Sequence, residues 1–177
     1  YILETGTHKG ISASYMGLAL SENIIRYLLL NRSIAKLEVR LDTIEYEKTH
    51  YQDSQDLFRK LGLSMIFGYN MLVEEFHPKD KYDLMFLDTE PNLRFGELVK
   101  FYPFLKDGGY VFIHDLHRSM CQGNINPDHP EINSWPFGDL PDEIKGWLKS
   151  GELVKFHFET PRGLTGFYKI HKEDYKI

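Results

Sequence analysis

Two aspartates stand at the tips of apolar runs: Tyr82 to Leu87 is followed by Asp88, and Tyr110 to Ile113 by His114 and Asp115. Carboxylates that end neighbouring strands project into one crevice, and Glu90, His114 and His117 lie close to them in sequence. Oxygen donors converging with room for water suit magnesium (Mg2+) or another hard divalent ion, and a histidine in the set tilts the choice toward manganese, iron or zinc. The metal-ligand candidates are Asp88, His114 and Asp115. Without a metal, His117 or His114 could act as a general base, because imidazole titrates near neutral pH. Asp88 could instead bond a ligand's ammonium group, and Asp115 could cap a loop. The catalytic candidates are therefore Asp115, His117 and His114.

A second chemistry-bearing segment is Glu4-Thr5-Gly6-Thr7-His8-Lys9-Gly10-Ile11-Ser12, between a first apolar strand and a first helix. Open α/β sheets bind ligands beyond the carboxyl ends of their strands. Glycines let backbone amides approach a ligand closely, and a helix N-terminus favours its anionic group. A tight strand-to-helix turn without a ligand is the plainer reading. A dinucleotide site would show a third glycine, where this chain has Ala13, and an acid sooner than Glu45. A carboxylate at the tip of the second strand can still accept hydrogen bonds from both hydroxyls of a ribose. Otherwise Glu45 is a solvated strand end.

These residues need a frame, and short apolar runs alternating with helical patterns predict an α/β fold with a parallel sheet. Strands are expected at Tyr1 to Leu3, Leu37 to Glu45, Leu63 to Phe67, Tyr82 to Asp88 and Tyr110 to His114. Helical spacing runs from Ile11 to Leu20, then through Ile24, Leu28 and Ile34 as a separate helix interrupted at Asn31 and Ser33, and from Tyr51 to Leu61 before a left-handed cap at Gly62. A short helix near Leu72 to Phe76 and one carrying Phe95, Leu98, Val99 and Tyr102 follow, the latter closing at a turn, Lys106 to Gly109. Leu116 to Gly138 reads as a long loop rich in Gly, Asn and Pro, whose Trp135 and Phe137 could wall a substrate or anchor the loop. The last helix starts at Pro141, and Leu153 to Glu159 with Leu164 to Ile170 form an antiparallel hairpin.

With 177 residues, 42% apolar and 27% charged, the chain suits one globular domain, residues 1–177. A net charge of -5 and no basic run argue against nucleic acid, and no apolar stretch is long enough for a membrane span or a signal peptide. One cysteine, Cys121, forms no internal disulfide, which favours a cytoplasmic setting. The chain opens directly on a strand, so an N-terminal segment is expected to be missing. A homodimer is compatible with the exposed strand ends.

In order and spacing these segments resemble the class I S-adenosylmethionine (SAM)-dependent methyltransferases, within them the catechol O-methyltransferase type and its bacterial small-molecule relatives. The resemblance covers most of the chain and implies a Rossmann-like, doubly wound, mostly parallel seven-stranded sheet whose last strand is antiparallel. Leu3 to Ser12 is similar to the first motif, in which an acid opens the loop, two glycines follow and a serine closes it against the cofactor carboxylate. That motif implies cofactor roles for Glu4, Gly6, Thr7, His8, Gly10 and Ser12. Thr43-Ile44-Glu45, with Tyr46, resembles the ribose-binding strand end, and Phe67-Gly68-Tyr69-Asn70 the segment beside the adenine, implicating Gly68 and Asn70. Tyr82 to Asp88 and Gly108 to Asp115 resemble the strands flanking the active site, with Asp88 also facing the cofactor. The implied activity is O-methylation of a small-molecule hydroxyl, with a divalent metal held by Asp88, Asp115 and a third ligand, His114 before Leu116.

Two departures stand out: a longer stretch before Glu45, read as an inserted helix around Glu22 to Ser33, and the absence of the N-terminal helices that cover the site as a lid in these relatives. A competing reading is an NAD(P)-dependent oxidoreductase using Tyr102 and Lys106 at Tyr-x-x-x-Lys spacing, which Pro103 disfavours by breaking their helix. A third is a non-catalytic cofactor-binding protein. His50, His77, His129, His157 and His171 read as surface or packing residues.

Overall fold

The computed structural model describes residues 1–30, 38–116, 140–158, 160 and 163–171. Its chain divides into two compact units, Tyr1–His77 and Pro78–Ile177.

In the first unit, strands β1 (Ile2–Thr5), β2 (Leu41–Glu45) and β3 (Ile66–Asn70) are parallel in the order β3-β2-β1. All five residues of β2 are buried, as in a strand covered on both faces. Helices α1 (Ile11–Leu29) and α2 (Lys48–Lys60) connect the strands. Ala13, Leu41, Phe58, Leu63 and Ile66 form the core, and Gly17 lets α1 lie close, since a methyl group there would be 2.8 Å from Ile66 Cδ1. The opposite side of α1 exposes Ile11, Tyr15 and Leu18.

Three sequence expectations shift here. The two separate helical patterns after the glycine loop are one helix to Leu29, because no breaker intervenes and Ser21 Oγ bonds back to Gly17 O at 3.0 Å; Ile34 lies outside the described residues. The second strand begins at Leu41 rather than Leu37. The third begins at Ile66 rather than Leu63, because the Leu63 N–H closes the end of α2 on Phe58 O at 3.0 Å. That bond, with Gly62 at φ 68°, is the left-handed cap the sequence predicts.

In the second unit, β4 (Tyr82–Leu87), β5 (Leu105–His114), β7 (Leu164–Lys169) and β6 (Leu153–Phe158) follow in that spatial order. β4 and β5 are parallel, whereas β7 is antiparallel to both β5 and β6. Helix α3 (Arg94–Phe101) is followed by a 3₁₀ turn, Tyr102–Phe104, and α4 (Asp142–Ser150) ends at Gly151, left-handed at φ 80°. One sheet face is sealed by fully buried Met85, Leu87, Val111, Ile113 and Phe167. The turn expected at Lys106 to Gly109 is instead a bulge inside β5: pairing jumps from Tyr82 with Leu105 to Leu84 with Tyr110. The Leu116 to Gly138 loop, including Trp135 and Phe137, lies outside the described residues apart from Leu116, which is buried. No helix among the described residues is long and apolar enough to cross a membrane.

Two glycines with the same left-handed backbone should respond differently to alanine. At Gly10 a methyl group would meet Phe58 Cε1 at 2.8 Å, whereas at Gly62 nothing lies within 4 Å. Backbone strain costs about 1 kcal/mol at either position, and overpacking adds about 1–3 kcal/mol at Gly10 alone. Urea denaturation of Gly10→Ala and Gly62→Ala is expected to return that order.

Candidate functional site

The glycine loop turns left-handed three times, at Gly6 (φ 79°), His8 (φ 48°) and Gly10 (φ 82°). Its first amides are spent on β2: the N–H groups of Gly6 and Thr7 donate to Ile44 O at 3.0 and 3.1 Å. The His8 N–H donates to Glu45 Oε2 at 2.6 Å, while Glu45 Oε1 accepts from the Glu47 N–H at 2.8 Å. Glu45 is thus a clamp between the loop and the turn after β2, and only 6% exposed. Asn70 Nδ2 supports that turn, donating to Glu45 O at 2.9 Å and Tyr46 O at 3.1 Å.

Beneath the loop, Glu4 is fully buried and accepts from the hydroxyls of Ser12 and Thr43, and the Thr7 hydroxyl bonds that of Thr43. Glu4 and Thr7 therefore shape the loop from below. Ser12 has only one O–H to donate, and it donates it to Glu4. A Cβ at Gly68 would lie 2.0 Å from Gln55 Nε2, so a larger residue there would push the Gln55 side chain aside, and Tyr46 is 62% exposed. His50, read from sequence as a surface or packing residue, packs edge-to-face on His8 with ring centroids 4.0 Å apart.

Helix α1 starts at Gly10 with no side-chain cap, and its first main-chain bond is from the Ser14 N–H to Gly10 O at 2.9 Å. The amides of Ile11, Ser12 and Ala13 thus precede the first intrahelical acceptor. An uncapped N-terminus of a 19-residue helix behind a glycine turn fits the carboxylate of an amino-acid ligand, and Glu45 at the tip of β2 fits a ribose.

In the second unit the acidic centre assembles as its strands predict. His114 Nδ1 lies 3.0 Å from Asp88 Oδ1 and 3.4 Å from Asp115 Oδ1, and one ligand atom from each of these three residues falls within 4.8 Å of the others. Asp115 reaches this geometry through a left-handed backbone, φ 53°. His117 lies outside the described residues, and Glu90 is exposed.

The residue that sequence reasoning missed is Arg94. It is 3% exposed, and its Nη2 lies 3.1 Å from Asp88 Oδ1 and 3.5 Å from Asp115 Oδ2. Nε donates to Thr89 O at 2.8 Å, Nη2 also donates to Thr89 O, and Nη1 donates to the carbonyl of His114. Desolvation by burial lowers the pKa of the guanidinium, opposed by the charges of Asp88 and Asp115. A signal was present: Arg94 sits four and seven residues before Leu98 and Phe101, on the buried face of α3.

The spacing of Asp88, His114 and Asp115 suits a small cation, but Arg94 already supplies one positive charge to the two acids. A divalent ion about 4 Å from the guanidinium would meet about 8 kcal/mol of repulsion at an effective dielectric of about 20, which cancels about half of the attraction that two carboxylates at that distance offer. The oxidoreductase pair is engaged elsewhere: Tyr102 stacks on Trp147 at 3.7 Å and donates to Glu152 at 3.3 Å, while Lys106 Nζ bonds Asp83 at 2.8 Å.

No protein-family model and no curated protein sequence matches the chain. Solved structures do. The O-methyltransferase from Bacillus cereus, in complex with S-adenosylhomocysteine (SAH), superposes with a TM-score of 0.67 at 13% identity, covering 95% of this chain and 73% of that one. TomG from Streptomyces achromogenes, an O-methyltransferase involved in tomaymycin synthesis and solved with SAM, gives 0.66 at 15%, covering 96% and 73%. The SAH-bound Podospora anserina methyltransferase PaMTH1 gives 0.65 at 17%, covering 96% and 71%. The shared fold is the Rossmann-like one of SAM-dependent methyltransferases, a seven-stranded, mostly parallel sheet with a reversed last strand.

Replacing Glu4 by Leu removes the acceptor of the half-buried Ser12 hydroxyl and one partner of the buried Thr43 hydroxyl, which keeps Thr7, and is expected to cost about 1–3 kcal/mol, whereas Glu4→Gln keeps an acceptor and should lose about half as much. Thermal and urea unfolding of the two variants measure the difference.

Proposed function

We propose that residues 1–177 act as one SAM-dependent methyltransferase domain that transfers a methyl group to the hydroxyl of a small molecule. The observation that carries this reading is the Asp88–His114 pair, 3.0 Å apart at the tips of two parallel strands, on a fold shared with O-methyltransferases. In support, the glycine loop leads into an uncapped helix N-terminus, and Glu45 ends the second strand. The net charge of -5 also favours a small acceptor over a nucleic acid.

When bound, SAM supplies a methyl group on a positively charged sulfur. The first-turn amides of α1 would hold its carboxylate, and Glu45 would accept from its ribose hydroxyls. Two carboxylates face His114 Nδ1, which favours the tautomer protonated there, so Nε2 carries the lone pair. His114 Nε2 would accept the proton of the acceptor hydroxyl, leaving an oxygen able to take the methyl group that SAM would supply. Asp88 orients the ring and stabilises the imidazolium that results. Asp115 and Arg94 fix the position of both.

Calorimetry with SAM, SAH and NADH tests the cofactor assignment: SAH should bind and NADH should not. His114→Ala is expected to lower turnover by about 10²–10⁴ while SAH affinity stays within about threefold. Loss of SAH binding in that variant, or undiminished turnover, refutes the assignment of the base.

A further inference from the structure

We propose that Arg94 is a built-in cation, which occupies the place between Asp88 and Asp115 where a divalent metal would otherwise sit and makes the centre metal-independent. A single nitrogen, Nη2, lies within 3.5 Å of both carboxylates, the position that a bridging ion would take. The guanidinium is not a surface side chain that could swing aside, being 3% exposed. Its remaining donors are spent on the main-chain carbonyls of Thr89 and His114. Moving it would break its bonds to both carbonyls and its ion pairs with both acids at once.

Two aspartates and one arginine leave a net charge of -1. That suits a monovalent positive charge, such as an imidazolium or a sulfonium, better than a divalent ion, whose sites are usually richer in carboxylates. The guanidinium also does one thing an ion would not: by bonding the His114 carbonyl it ties the strand end to the acids. Arg94 is therefore a positioning residue. The inference deepens the reading proposed above and rests on it only for what the acids do in the reaction.

Mn2+ is the probe, because its binding is read by electron paramagnetic resonance without any turnover. The wild-type protein should leave Mn2+ free at millimolar concentration. Arg94→Met should bind it at least about a hundredfold more tightly, and Arg94→Lys, which keeps the charge, should exclude it again. Wild-type turnover should be unchanged by EDTA. Micromolar Mn2+ binding to the wild type, or turnover lost to EDTA and restored by Mg2+, overturns the proposal even if Arg94→Met does not fold. A folded Arg94→Met that ignores Mn2+ overturns it too. SAH calorimetry on the wild type reports separately on the methyltransferase reading, so the two can fail independently.

Discussion

A guanidinium cannot be taken out of water unless its charge is answered where it lands. Arg94 lands beneath the tips of β4 and β5, and two carboxylates and two main-chain carbonyls answer it. The geometry of the acidic centre follows from that need. Asp88 must follow β4 directly, Asp115 must turn back on leaving β5, and the carbonyl of His114 must face inward. The histidine ring is then held by the same acids that neutralise the arginine. Structural and chemical demands on Asp88 and Asp115 are thus met by one arrangement, and variants at either position report on both.

The first unit solves a comparable problem with hydroxyls. A carboxylate with no exposure, Glu4, is tolerable because Ser12 and Thr43 each donate a hydrogen bond to it, and Thr43 extends the chain to Thr7. One network therefore links the first strand, the second strand, the loop and the first turn of α1. Glu45 adds a clamp from above by holding the His8 amide. The loop is held by side chains that lie under it, and the helix it leads into opens with no side-chain cap.

Much of this was legible in the sequence because apolar runs that end in an acid carry their own punctuation. Glu45, Asp88 and Asp115 fall at strand tips where the sequence predicts them, and the closing hairpin is correct within a residue at each end. Boundaries failed where one apolar residue served two elements. Leu63 reads as a strand residue but spends its amide finishing a helix, so β3 starts three residues late. The glycine pair at Gly108-Gly109 reads as a turn, yet the same glycines permit a bulge within a continuous strand. Two residues of the linear motifs also carry contacts that spacing does not reveal: Glu4 is buried against Ser12 and Thr43, and Gly68 lies against Gln55 and Tyr51. Arg94 was overlooked because a charge on an apolar helix face is usually discounted, although that placement was itself the clue.

The left-handed backbone at Asp115 has a consequence for how this centre can drift over generations. Side chains branched at Cβ are strongly disfavoured in such a conformation, and glycine, asparagine, aspartate and histidine tolerate it most cheaply, as His8 does in the glycine loop. The position therefore draws on a short alphabet. Within it, a single exchange to asparagine erases one negative charge while leaving the path of the chain intact. A lineage that retires the chemistry of this centre can do so silently, keeping a shape that still looks competent.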